Sequence, residues 1–96
     1  MLVNDRLRIK EQLAFFTRRG IRISRAPRQI LLRARQIVEK LERGEPYWKL
    51  RGKRLGCNRF RISIPLGRDW RLLADDIQGR VVAREVLSHE KYNLRA

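Results

Sequence analysis

The sequence predicts an α+β fold: a small, mostly antiparallel sheet of about four strands with two helices packed on one face. Three observations predict it. Residues 27–43 carry apolar side chains at helical spacing, residues 59–64 alternate strictly between apolar and polar, and two more strand-like runs follow across short turns. A chain of 96 residues suits one such unit. The reading divides it into an N-terminal helical segment, 1–20, and a main body, 21–96, within a single compact domain.

The elements follow in chain order. Residues 4–19, NDRLRIKEQLAFFTRR, read as a helix. Asn4 or Asp5 can cap it, Leu7, Leu13 and Phe16 give an apolar stripe that Ile9 and Phe15 widen, and Gly20 offers a stop. IRIS, residues 21–24, is a short β-branched strand. The next helix has Pro27 in its first turn and Ile30, Leu31, Ala34, Ile37, Val38 and Leu41 on one face. Gly44 and Pro46 end it. An irregular basic stretch, EPYWKLRGKRLGCN, is broken by Gly52 and Gly56. Then come three strands joined by tight turns: RFRISIPLG, RDWRLLADD and RVVAREVLSH. Together they form an antiparallel meander.

Composition narrows the function. Lys and Arg total 24 against 10 Asp and Glu, a formal charge of +14, and arginine dominates. That excess points to a polyanionic partner, nucleic acid or an acidic protein, because guanidinium groups suit bidentate phosphate and carboxylate contacts. A single cysteine, Cys57, excludes an internal disulfide and a cysteine-built metal site. Asp75 and Asp76 lie at a turn with no histidine beside them, so no metal is expected. No glycine-rich nucleotide loop is present, and no cofactor is expected. No apolar run reaches the roughly 20 residues of a membrane span, and the N-terminal residues are interrupted by charges. The expected location is the cytoplasm, with no membrane partner.

Candidate functional residues fall in two groups. Lys49, Arg51, Lys53, Arg54 and Arg59 flank the irregular stretch; they read as a phosphate-contacting surface or as a solvated loop. On the meander, burying Phe60, Ile62 and Ile64 of one strand and Trp70, Leu72 and Ala74 of the next under the helices turns Arg61, Ser63 and Arg71 to the other face, which an antiparallel sheet commonly leaves open. The only histidine, His89, and then Tyr92 stand where the last strand runs out. His89 reads as a reactive group or as a strand-end residue bonding a carbonyl, and Tyr92 as a site residue or as packing under the sheet edge. Trp48 and Trp70 read as core or half-buried residues.

The run KLRGKR before a strand, FRISI as that strand, DWRLL opening the next and VLSHEKYN at the close resembles the RelE/ParE superfamily of bacterial toxin–antitoxin modules. The resemblance covers residues 21–92. It implies a compact α+β toxin that either cleaves mRNA, usually on the ribosome, or poisons DNA gyrase, and that a cognate antitoxin neutralises. In the RNA-cleaving branch it implies that Arg71 clamps the scissile phosphate, that Arg61 lines the same site, and that His89 and Tyr92 serve as acid or base. Two features depart from the pattern. Ser63 stands where some members carry a second lysine, and one helix rather than a hairpin separates the first strand from the meander. Residues 4–19 either supply the missing partner helix or form an appendage.

The chemistry suits those residue types. Metal-free RNA cleavage requires a proton to leave the ribose 2′-hydroxyl, charge to be stabilised at phosphorus, and a proton to reach the departing 5′-oxygen. Histidine ionises near neutrality and suits proton transfer; arginine suits the charge; tyrosine can donate, orient or stack. The expected function is a metal-independent, ribosome-associated mRNA endonuclease. The alternatives are a gyrase poison and a non-catalytic nucleic-acid-binding module of the same fold.

Overall fold

A computed structural model describes residues 2–90, with side chains described from residue 10 onward. Helix α1 spans Leu2–Arg18 and helix α2 spans Arg28–Glu42. Five strands, β1 (Arg22–Ile23), β2 (Lys53–Arg54), β3 (Arg61–Pro65), β4 (Trp70–Ile77) and β5 (Arg80–Ser88), form one sheet in the order β1-β5-β4-β3-β2. β1 runs parallel to β5 and every other pair is antiparallel. The α+β architecture is the expected one, with a fifth strand at the edge. β2 has only two residues, and Gly52 and Gly56 on either side remove the alternation by which a strand is recognised.

Helix α2 forms because its apolar residues recur on one stripe. Leu31, Ala34, Ile37, Val38 and Leu41 are all buried. They meet Ile62, Ile64, Leu66, Leu72, Ala74 and Val86 from the sheet in one cluster, which Phe15 and Phe16 of α1 join. α1 is thus built into the core rather than appended to it. The rings of Phe15 and Phe16 meet edge to face at 5.2 Å, and the Arg19 guanidinium lies 3.6 Å over the Phe15 ring. Arg19 also donates to Glu42 of α2 through Nε at 2.7 Å. The stripe on α1 is set slightly off the expected one: Phe15 and Phe16 are buried, while Leu13 is exposed.

The hairpin between β4 and β5 turns on Gln78 and Gly79, which have φ of 54° and 85°. Two successive positive φ values match the twist of flanking strands in a two-residue turn. Asp76 holds this turn by accepting the Gly79 N–H through Oδ1 at 2.8 Å.

One expectation is overturned. The face opposite the helices is not open along its length: Ser63, Leu73, Glu85 and Leu87 are all buried there. The reason lies in the sequence. Leu72-Leu73 and Val86-Leu87 are consecutive apolar pairs, so both faces of the central strands carry apolar side chains, as in strands covered on both sides. The alternation of β3 alone gave the wrong expectation for β4 and β5.

Candidate functional site

The strand register fixes where the predicted residues stand. Trp70 pairs with Ser88, and Arg71 pairs with Pro65 on one side and Leu87 on the other. His89 follows directly, and its backbone N–H donates to the Asp69 carbonyl at 2.6 Å. Arg71 and His89 are therefore brought to the same end of the sheet. The His89 side chain is exposed, whereas Arg71 is half-buried and its Nε is shielded from solvent. Partial burial of an arginine strengthens its interactions with an anion, because water screens less. Tyr92 lies outside the described residues.

Arg61 stands elsewhere. It pairs with Asp75, four rows along β3 from the Pro65–Arg71 pair. At about 3.3 Å per residue, that is roughly 13 Å from Arg71. Its Nε lies 3.4 Å from Asp75 Oδ1, and Arg84 Nε donates to the other carboxylate oxygen at 3.1 Å. Two arginines share one carboxylate there, leaving a residual positive charge. Arg84 escaped the sequence reading for a definable reason. A bulge between Leu73 and Ala74 lets Glu85 and Ala83 pair with successive residues of β4, so Arg84 is the extra residue. Two-residue counting cannot assign a side for such a position. Ser63, between these two groups, is buried, and its Oγ has no hydrogen-bond partner among the described residues.

The second group separates as well. Lys49, Arg51, Lys53 and Arg59 are exposed, and none forms an ion pair among the described residues. Arg54 instead has its guanidinium engaged. Nε donates to Tyr47 Oη at 3.0 Å, one terminal nitrogen to the Arg59 carbonyl at 2.7 Å, and the other to Asp76 Oδ2 at 2.6 Å. The bond to Asp76 holds Arg54 above its ordinary pKa, and the same bond holds the Asp76 carboxyl below its own. Arg54 is a structural tie between β2, the turn before β3, and the β4–β5 hairpin. Trp48 and Phe60 depart from expectation: Trp48 is 66% exposed, on the short 3-10 turn Tyr47–Leu50, and Phe60 is 73% exposed because it lies in the turn just before β3 rather than on the strand. Trp70 is half-buried against the core, as expected.

A groove of about 900 Å³ opens between the C-terminal end of α2, the 3-10 turn and the β4–β5 hairpin. Val38, Leu41 and Val81 are among its apolar lining, and Arg19, Arg54 and Arg80 among its charged lining. Among the described residues no cluster of histidine, cysteine and carboxylate side chains could hold a metal ion, and no helix is long and apolar enough to cross a membrane.

Comparison with known proteins gives one match. Residues 28–94 match the family model described as the ParE-like toxin domain. No curated protein and no solved structure was found to match the chain.

Proposed function

The chain belongs to the ParE-like toxin domain family, a toxin of a toxin–antitoxin module, and from that premise we propose that it arrests growth in the cytoplasm by cutting mRNA on the ribosome. The single observation that carries this reading is the meeting of Arg71 and His89 at one end of the sheet. There a half-buried arginine whose Nε is shielded and the only imidazole of the chain stand at the same end of neighbouring strands.

In this reading the 2′-oxygen of the RNA attacks the adjacent phosphorus while its proton passes to a base. The P–O5′ bond breaks, leaving a 2′,3′-cyclic phosphate, and the 5′-oxygen takes up a proton. Arg71 stabilises the charge that grows on the phosphoryl oxygens, where a preorganised cation contributes most. His89 supplies a proton-transfer group. Arg61 and Arg84, about 13 Å along the sheet, are placed to hold a neighbouring phosphate rather than the reacting one. Tyr92 is the proposed second acid–base or stacking group. Of the basic surface, Lys49, Arg51, Lys53 and Arg59 contact phosphates, and Arg54 holds the fold beneath them. The antitoxin partner is proposed to lay an amphipathic segment into the groove over Val38, Leu41 and Val81, with carboxylates toward Arg19 and Arg80.

The second reading is gyrase poisoning, which the resemblance to the RelE/ParE superfamily equally implies. Purified protein incubated with translating ribosomes and, separately, with gyrase and relaxed plasmid distinguishes the two. The ribonuclease reading expects cut mRNA that depends on Arg71 and His89, with supercoiling unaffected. Intact mRNA and blocked supercoiling would replace it with the gyrase reading.

A further inference from the structure

Among the described residues, two aromatic side chains stand out on the surface. Phe60 is 73% exposed and Trp48 is 66% exposed. Removing a Phe or Trp side chain from water is among the larger gains available to a fold, so leaving both rings out calls for a reason. They are not on loose segments. The Arg54 guanidinium bonds Tyr47, the chain neighbour of Trp48, and the carbonyl of Arg59, the chain neighbour of Phe60. The Tyr47 ring meets the Trp48 ring edge to face at 5.4 Å. On the other side, the Phe60 carbonyl accepts the Asp76 N–H at 2.7 Å, and the Asp76 carboxylate is bonded to Arg54. One guanidinium thus ties the Tyr47 side chain next to Trp48 and the backbone next to Phe60.

The setting of the rings is cationic. Lys49 and Arg51 follow Trp48 in the chain, Arg59 precedes Phe60, and Lys53 lies on the edge strand between the two segments. All four are exposed and without ion pairs among the described residues. Two exposed π-faces on tied segments, with cations free of ion pairs beside them in the chain, match what a single strand of nucleic acid presents: flat bases and a charged backbone.

We propose that Trp48 and Phe60 form a stacking platform for unpaired bases, with Lys49, Arg51, Lys53 and Arg59 on the phosphates. The surface is separate from the Arg71–His89 end of the sheet and does not depend on what happens there. A duplex hides its base faces, so it should gain only the electrostatic part. An acidic peptide has the charge to engage the lysines and arginines but no flat faces to repay two ordered aromatics.

The test is fluorescence anisotropy with twelve-nucleotide probes: a 2′-O-methyl oligouridylate, which cannot be cleaved through its 2′-oxygen, an oligothymidylate, a duplex of equal length, and an oligoglutamate peptide. Trp48→Ala and Phe60→Ala should each weaken single-strand binding about tenfold, and the double variant about a hundredfold. Trp48→Phe should restore most of the loss, and duplex binding should stay within about twofold. The logarithm of affinity against that of salt should slope near −3 for four phosphate contacts. Equal losses for the two oligonucleotides mean that the platform reads any single strand; a loss confined to one assigns it to RNA or to DNA. Unchanged single-strand affinity in the double variant, with circular dichroism showing a folded protein, would overturn the proposal, since binding would then be net charge alone. A loss seen only with the oligoglutamate would overturn it in favour of a peptide surface.

Discussion

Truncating Phe16 tests whether α1 is part of the folding unit. Phe16 is completely buried, packs edge to face on Phe15, and belongs to the cluster that includes α2 and the sheet. Phe→Ala in such a core costs about 3–5 kcal/mol, the lost transfer energy plus the cavity left behind. Alanine returns a few tenths through its better helix propensity, so the expected net loss is about 4 kcal/mol. At roughly 4–8 °C per kcal/mol for a domain of this size, the melting temperature should fall by about 20 °C. Phe60→Ala is the matched control: the same chemistry at a 73% exposed site should change stability by no more than about 0.5 kcal/mol. Thermal and urea melts followed by circular dichroism read both. If Phe16→Ala melts within a few degrees of Phe60→Ala, α1 is not in the core, and the placement of the helices argued above is wrong.

Other outcomes follow from the same contacts. Gly52→Ala should destabilise by about 1–3 kcal/mol, because an added Cβ would stand 2.9 Å from the Tyr47 carbonyl oxygen and 3.0 Å from Ile64 Cγ1; equilibrium unfolding checks it. The Arg19–Glu42 pair has side chains 33% and 49% exposed, so a double-mutant cycle should return no more than about 0.5 kcal/mol. Asp76 has its folded-state pKa lowered by the Arg54 bond and by the Gly79 N–H. The stability it contributes is therefore present above its unfolded-state pKa and is lost as pH falls through its folded-state pKa. Asp76→Asn should flatten that acid limb of a stability-against-pH curve. An antitoxin segment bound in the groove should associate more slowly as salt rises, with Val81→Lys weakening it severalfold in a stopped-flow assay.

How far the sequence could be read depended on whether a side chain's role is local. The spacing of Leu31, Ala34, Ile37, Val38 and Leu41 states an amphipathic helix outright, and the alternation through Ile62 and Ile64 states a half-buried strand. That Arg71 and His89 lie at the same end of the sheet followed from short turns, which leave a meander little freedom. What was not legible required long-range contacts. Arg54 looked like one more member of a basic patch, yet it bonds Asp76, 22 positions away. Arg84 sits at a bulge that two-residue counting cannot see. Arg61 was grouped with Arg71 because both were expected on the face away from the helices, but the register sets them at opposite ends of the β3–β4 pairing. Trp48 was expected inside because tryptophan usually is; only the fold shows that the 3-10 turn carries it outward. The Leu72-Leu73 and Val86-Leu87 pairs did signal two covered faces, against the open-face expectation.

The central claim rests on Arg71 and His89, and the chemistry of the cut ends tests it most directly. Messenger RNA from ribosomes treated with the purified protein should carry 2′,3′-cyclic phosphate and 5′-hydroxyl ends at the new termini. His89→Ala should slow their appearance by about 10² to 10⁴ and Arg71→Ala by about 10², with both variants still folded. New termini that form at the wild-type rate in both variants, or no new termini while growth still stops, would contradict the account.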